Sequence, residues 1–258
     1  MKKVGRDEEL RKLHVKGKPL ILYNVWDAGS AAALTEAGAK AIATSSWAIG
    51  AAHGYPDGEQ LPIDFLLRIV ERIVHSTDVP VTIDFEGGYA RSPADVGRNV
   101  SDLVRSGAAG MNFEDQVVNG PGLYSIDEQT QRIREARLAA DRVGGSFFIN
   151  ARSDVFFKGN GHADHALLID EALERGRAYL EAGADGFFVP GLVDKELIKR
   201  ICTDMACPVN VMVTESGYPL ASIVQLGVAR ISFGPSPYIE MIRSLKAEFQ
   251  SISSGAHG

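Results

Sequence analysis

VPVTIDFEGGYA, residues 79–90, enters through a proline, runs apolar through Val81, Ile83 and Phe85, and sets Asp84 and Glu86 just before a glycine pair and Tyr89. In a half-exposed sheet alternate acids face water, but these neighbours leave no wet face, so both carboxylates are expected on an enclosed one. Two enclosed like charges need a counter-charge, and a metal ion is the commonest. The same short apolar form recurs as LILYN (20–24), AIATS (41–45), VTIDF (81–85), GMNFE (110–114), FFINA (147–151), GFFVP (186–190), VNVMV (209–213) and RISFG (230–234). Eight such runs read as parallel strands buried on both faces, and the segments between them are long enough for helical crossovers.

A weak repeat supports that count. EAGAKAI, RSGAAGM, EAGADGF and QLGVARI each close a helix on a glycine and lead into the second, fourth, sixth or eighth run. Glycine supplies the left-handed C-cap residue that a short helix-to-strand turn requires. Pro19, Pro80 and Pro208 precede the first, third and seventh runs, while Ser92 with Pro93 and the Ser125/Glu128 pair mark helix starts. With no linker or low-complexity stretch, the pattern predicts a single-domain (β/α)8 barrel of TIM type over residues 1–258, with a short N-terminal helix before the first strand. An open doubly wound sheet fits eight such units less well.

The 258 residues, 45% hydrophobic and 23% charged, allow a sizeable core. A net charge of −6 argues against nucleic acid as a partner. The start, MKKVGRDEELRKLHVKGKP, has no apolar leader, and no segment approaches the ~18 apolar residues of a membrane span. A cytoplasmic protein with no membrane partner is expected. Cys202 and Cys207 are too few for a disulfide framework and read as structural thiols.

Barrels of this type carry their active sites at the C-terminal strand ends. In chain order those ends offer Asn24 and Asp27, Ser45 and Ser46, Asp84 and Glu86, Glu114 and Asp115, then Asn150, Arg152 and Asp154, and finally Asn210 and Ser232. The opposite ends offer Pro, Gly and Ala. This one-sided gathering points to an enzyme, although any strand-end Asp or Ser also reads as a helix cap, Asp115 and Asp154 included. Carboxylates without histidine or thiolate suit Mg2+ or Mn2+ rather than zinc, with Asp84, Glu86 and Glu114 as ligands. Arg152 is then the natural clamp for an anionic substrate. His162 and His165 are three apart in a Gly-rich loop with no third ligand, and read as a solvated lid rather than a zinc site. TESGYP and SFGPSP follow the last two strands without a Lys or Arg to bind phosphate.

Asp84-Phe-Glu86-Gly-Gly88-Tyr89-Ala90, together with YNVWDAGSAAALTEAGAKAIATSS, GYPDGEQ, NFEDQ, INARSD and ADGFFVP, resembles the phosphoenolpyruvate mutase/isocitrate lyase superfamily over most of the chain. The resemblance implies a (β/α)8 barrel in which Mg2+ holds the oxygens of a small 2-oxo acid. By motif position it makes Asp84 the nearest ligand, with Asp57, Glu86 and Glu114 acting directly or through water. Ser45 and Ser46 would bind the substrate carboxylate partly through backbone N–H groups, Arg152 would pair with it, and Trp47 and Asn210 would complete the substrate site. A homo-oligomer, dimer or tetramer, is implied as well.

The departures are informative. Isocitrate and methylisocitrate lyases carry Lys-Arg-Cys-Gly-His after the fourth-strand acids, whereas this chain reads EDQVVNGPGLYSIDEQ, with Asn119 but no Lys, Cys or His. Glu86 replaces an Asp. Gly120, Pro121 and Gly122 suit a lid, and bound water or Tyr89 is left as proton donor. The reading is a Mg2+-dependent enzyme cleaving a C–C bond beside the carbonyl of a small 2-oxo acid, by decarboxylation or retro-aldol chemistry. The alternatives are P–C chemistry of the mutase or phosphonopyruvate hydrolase kind, or a 2-oxo acid binding protein without catalysis.

Overall fold

The computed structural model describes residues 5–157, 165–214 and 219–255. Eight parallel strands alternate with helices: β1 (Leu20–Leu22), β2 (Ile42–Ala43), β3 (Val81–Asp84), β4 (Gly110–Glu114), β5 (Phe148–Arg152), β6 (Gly186–Phe188), β7 (Val209–Met212) and β8 (Arg230–Ser232). They run β1-β8-β7-β6-β5-β4-β3-β2 around the sheet, which makes a nearly closed (β/α)8 barrel. Closure between β1 and β2 rests on one bridge, Val25 with Thr44, where Val25 N–H donates to Ala43 O and Ser45 N–H to Val25 O. Asn24 staples the same seam: its amide donates to Thr44 O while its Oδ1 accepts from the N–H groups of Phe233 and Gly234.

The turn chemistry follows the sequence. Gly38, Gly107, Gly183 and Gly227 all take positive φ before β2, β4, β6 and β8. Ser92 caps α5 (Pro93–Arg105), and Ser125 with Glu128 forms the capping box of α6 (Ile126–Val143). The N-terminal helix α1 (Arg6–Leu13) presses Leu10 under the barrel. Among the described residues no helix is long and apolar enough to cross a membrane.

Inside the barrel the side chains form layers that the sequence reading did not separate. Strand side chains alternate, so Met111, Phe113, Ile149, Ala151, Val211 and Ile231 pack outward against the helices. Inward, the lowest layer is apolar: Leu10, Leu20, Leu22, Ala41, Ala43, Ala109 and Phe148, with the His14 ring stacked on Phe148 at 4.2 Å. Above it lies a buried polar layer of Asn112, Asn150, Asn210, Arg230 and Ser232. Asn150 and Asn210, expected at the mouth, sit in this middle layer one inward step below their strand ends, and Ser232, the last residue of β8, is buried against Asn210. Glu114 and Arg152 come next on the inward faces of β4 and β5, and Asp84 ends β3 beside them.

At the bottom of β4, a Cβ on Gly110 would stand 2.7 Å from Phe148 O and 2.9 Å from Leu10 Cδ2. Gly110→Ala is therefore expected to destabilise the barrel by about 1–3 kcal/mol, the usual cost of overpacking, as measured by urea denaturation.

Candidate active site

The strand tops deliver acids to one place. Asp84 Oδ2 accepts from Ser46 N–H (3.1 Å) and Ser46 Oγ (2.8 Å), and its Oδ1 accepts from Asn112 Nδ2 (3.3 Å). Ser46 Oγ also reaches Asp57 Oδ1 at 3.4 Å. Ser45 is spent locally, accepting Ala48 N–H as N-cap of α3 (Ser46–Ala52). A cavity of about 290 Å3 opens here, lined by Ser46, Asp57, Glu86, Glu114 and Arg152 and roofed by Gln116, Val118 and Asn119. Asp84 is not among the lining residues but adjoins two of them, Ser46 at 2.8 Å and Arg152 at 3.8 Å.

Arg152 organises the acids. Its Nε and Nη2 fork onto Asp154 at 2.6 and 2.9 Å, and its Nη1 lies 2.9 Å from Glu114 Oε2 and 3.8 Å from Asp84 Oδ1. Asp154 thus holds the arginine rather than capping a helix, and only the Nη1 side is left to meet a substrate. Asp115 caps nothing either. It is fully buried and accepts from Ser153 Oγ, Tyr179 OH and Asp154 N–H beside Arg175, tying the top of β4 to α7 (His165–Glu181). Asp27 does act as a cap, closing a reciprocal box with Ser30 at the start of α2 (Ala28–Glu36).

The electrostatics record an excess of negative charge. Burial, then the charges of Asp57 and Asp84, push the Glu86 carboxyl up to about 8. Burial raises Glu114 well above the ordinary range although Arg152 opposes it, and burial with the Asp84 charge raises Asp57. Burial alone would lower Arg152, but Glu114, Asp154 and Asp84 outweigh it and keep the guanidinium charged. Glu114 Oε2 is buried without an aligned hydrogen bond.

Backbone strain aims one of these acids. Glu86 (φ 48°) and Tyr89 (φ 56°) both occupy the left-handed region, on either side of the glycine pair. Glu86 Oε2 accepts Glu59 N–H at 2.8 Å, and Oε1 accepts the Tyr89 hydroxyl at 3.3 Å. Glu59 was not singled out in the sequence. It also takes a left-handed φ, and its Oε1 accepts Tyr89 N–H at 2.7 Å, so the GYPDGEQ segment braces the Glu86 turn. Its spacing two residues after Asp57 was the available signal.

Several expected residues are not brought to the cavity. Tyr89 lines a neighbouring cavity of about 240 Å3 with Glu59, Tyr124 and Arg132, and burial followed by the Glu86 charge raises its hydroxyl far above the usual range. Trp47 points the other way, edge-on to Tyr238 at 6.1 Å, and Asn210 is in the middle layer. His165 is not a solvated residue. It is buried at the start of α7 with Nε2 3.2 Å from Phe156 O and its ring edge-on to Phe156 at 5.1 Å. His162 and the Glu215–Tyr218 part of TESGYP lie outside the described residues. Cys202 and Cys207 have thiols pushed up by burial to about 11 and about 12, which fits inert packing.

A barrel of parallel strands with acids and one arginine at its C-terminal mouth defines the general class. The family model for phosphoenolpyruvate phosphomutase matches residues 10–253. A provisionally named phosphonomutase of Burkholderia cenocepacia has a crystal structure with TM-score 0.92 and 47% identity, covering 95% of this chain and 99% of that one. The 2,3-dimethylmalate lyase of Eubacterium barkeri is 31% identical over 85% of this chain and 71% of its own length. Oxaloacetate decarboxylase 2 of Pseudomonas fluorescens is 26% identical over 80% and 69%. The chain belongs to the phosphoenolpyruvate mutase/isocitrate lyase superfamily.

The Glu86 shift has a stability consequence. An acid whose folded-state pKa exceeds its unfolded value binds its proton more tightly when folded, so stability falls as pH rises from about 4.5 to about 8. In chelator, the protein is expected to lose up to a few kcal/mol across that window, and Glu86→Gln is expected to flatten the slope in urea titrations at several pH values.

Proposed function

We propose that this chain is a Mg2+-dependent enzyme that cleaves a C–C bond beside the carbonyl of a small 2-oxo acid, with decarboxylation of an oxaloacetate-like diacid the favoured reaction. One observation carries the reading: Asp57, Glu86 and Glu114 line a cavity whose single lining cation, Arg152, is already forked onto Asp154, and Asp84 adjoins it through Ser46 and Arg152. The raised Glu86, Glu114 and Asp57, gathered around one arginine, fit an additional cation. Among the described residues no three side chains stand ready to bind one ion together. Mg2+ takes one or two carboxylates directly and keeps several waters, so part of this acid set would act through water. Asp84, Glu86 and Glu114 would hold it, and Mn2+ has the same ligand preference. When bound, the cation supplies positive charge that stabilises an enolate developing on the substrate.

The residues around it have distinct tasks. Arg152 Nη1 would orient a substrate carboxylate, while the Ser46 N–H and hydroxyl, both on Asp84 Oδ2, hold that acid in position. Val118 and Asn119 roof the cavity and exclude water, supported by the Gln116–Leu123 bridge and Val117 N–H on Gly122 O. This loop carries no Lys, Cys or His, so cleavage that needs a strong general acid is disfavoured. A second reading, P–C chemistry, is favoured by the likeness to the Burkholderia protein and is distinguished by orthophosphate release from phosphonopyruvate.

With Mg2+, the protein is expected to consume oxaloacetate, to leave isocitrate and methylisocitrate essentially untouched, and to release no phosphate from phosphonopyruvate in steady-state assays. Asp84→Ala is expected to lower oxaloacetate turnover by about 100-fold or more while keeping the fold. Efficient isocitrate or methylisocitrate cleavage would refute the assignment.

The same reading makes the protein a homo-oligomer. The outer face of β1 leaves Ile21 and Tyr23 exposed beside a groove of about 550 Å3 walled by Leu13, Val15 and Leu34, while α10 (Ser236–Gly255) leaves Leu245, Phe249 and Ile252 exposed along one side. A barrel strand normally has a helix over its outer face, and α10 from a second copy would supply it. Phe249→Glu is expected to shift the protein to monomer in light scattering; a monomeric parent would remove this assembly.

A further inference from the structure

Arg230 lies wholly inside the barrel, 1% exposed, in the layer of amides beneath the acids. Its Nη2 donates to Asn112 Oδ1 at 3.0 Å, its Nε makes a long 3.4 Å contact with Ser232 Oγ, and its Nη1 has no hydrogen-bond partner. Burial lowers its pKa to about 9, with the Asp84 charge working the other way. An arginine in such a place is costly, and nothing in the fold of β8 demands one. The nearby His14 does not share the charge: burial, then Arg230 itself, holds its ring neutral, with a pKa of about 3.

The hydrogen bonds give the charge a direction. Asn112 Oδ1 accepts from two donors, Arg230 Nη2 and Asn150 Nδ2 (2.9 Å), so its amide cannot flip. Its Nδ2 must therefore point up the barrel axis, where it donates to Asp84 Oδ1. Asp84 and Asn112 are register partners on β3 and β4, which sets that contact, while Arg230 reaches across from β8. We propose that Arg230 is a positioning residue: by fixing the Asn112 amide it aims the Asp84 carboxylate at the mouth.

This inference rests on Asp84 being a Mg2+ ligand, and the test separates the two. Calorimetric titration of Mg2+ alone is run on the parent, Arg230→Met, Arg230→Lys, Asn112→Ala and the Arg230→Met/Asn112→Ala pair, alongside thermal unfolding in chelator. Each of Arg230→Met and Asn112→Ala is expected to weaken Mg2+ binding about tenfold, the scale of a hydrogen bond to a charged group. Arg230→Lys, which keeps the charge, is expected to fall between parent and Arg230→Met. The pair is expected to bind no more weakly than either single variant, since both break one relay. Arg230→Met is expected to unfold no earlier than the parent, because it removes an uncompensated buried charge. Single variants within about twofold of the parent, or losses that add in the pair, would overturn the proposal. So would an affinity loss that merely follows a lower melting temperature. Should Arg230→Met fail to fold, unchanged Mg2+ affinity in Asn112→Ala suffices to overturn it. A parent that binds no Mg2+ takes down the ligand reading and this inference with it.

Discussion

Carboxylates gathered at one end of a barrel repel one another, and Arg152 is the interaction that lets them stay. Its fork on Asp154 locks the guanidinium in place, and the remaining Nη1 faces Glu114 and Asp84. Removing one partner from a buried pair of this kind leaves an uncompensated charge, at a cost of about 3–5 kcal/mol. The arginine therefore acts as structure before it acts as chemistry. Because one of its edges is taken, the cavity keeps a net negative character that a cation or a protonated acid must relieve.

The barrel interior prepares that mouth in steps. Apolar side chains from α1, β1, β2 and β5 fill the base, amides and Arg230 fill the middle, and acids fill the top. Amide dipoles solvate charge from below without admitting water, which keeps the electrostatics of the mouth strong. The same inward step of two residues along β4 and β5 that places Asn112 and Asn150 also places Glu114 and Arg152 above them. Fold and site are consequences of one alternation.

Loops supply what strands cannot. The left-handed backbone at Glu86 and Tyr89 turns an acid back over the barrel, and Glu59 from another loop receives Tyr89 N–H and donates to Glu86. Such conformations cost about 1–3 kcal/mol each and persist only where neighbours over-determine them. Here the bracing comes from the segment that also carries Asp57, so the placement of two site acids is coupled.

The sequence by itself determined the barrel: eight apolar runs, glycines with positive φ before every second strand, and the Ser92 and Ser125 caps are local signals set by backbone sterics and nearby hydrogen bonds. It also determined that Asp84, Glu86, Glu114 and Arg152 would share one end, because parallel strands order their termini. Depth and partnership lay beyond it. Asn150 and Asn210 look like mouth residues until the inward alternation sinks them a layer. Asp154 looks like a cap until Arg152 claims it, Trp47 turns to Tyr238, and Tyr89 lines a neighbouring cavity while its hydroxyl reaches Glu86. Arg230 reads as an ordinary strand residue until β8 faces Asn112 on β4, far away in the chain. Those distinctions depend on which side chains meet across a closed barrel, and that is decided by the register and curvature of the whole sheet.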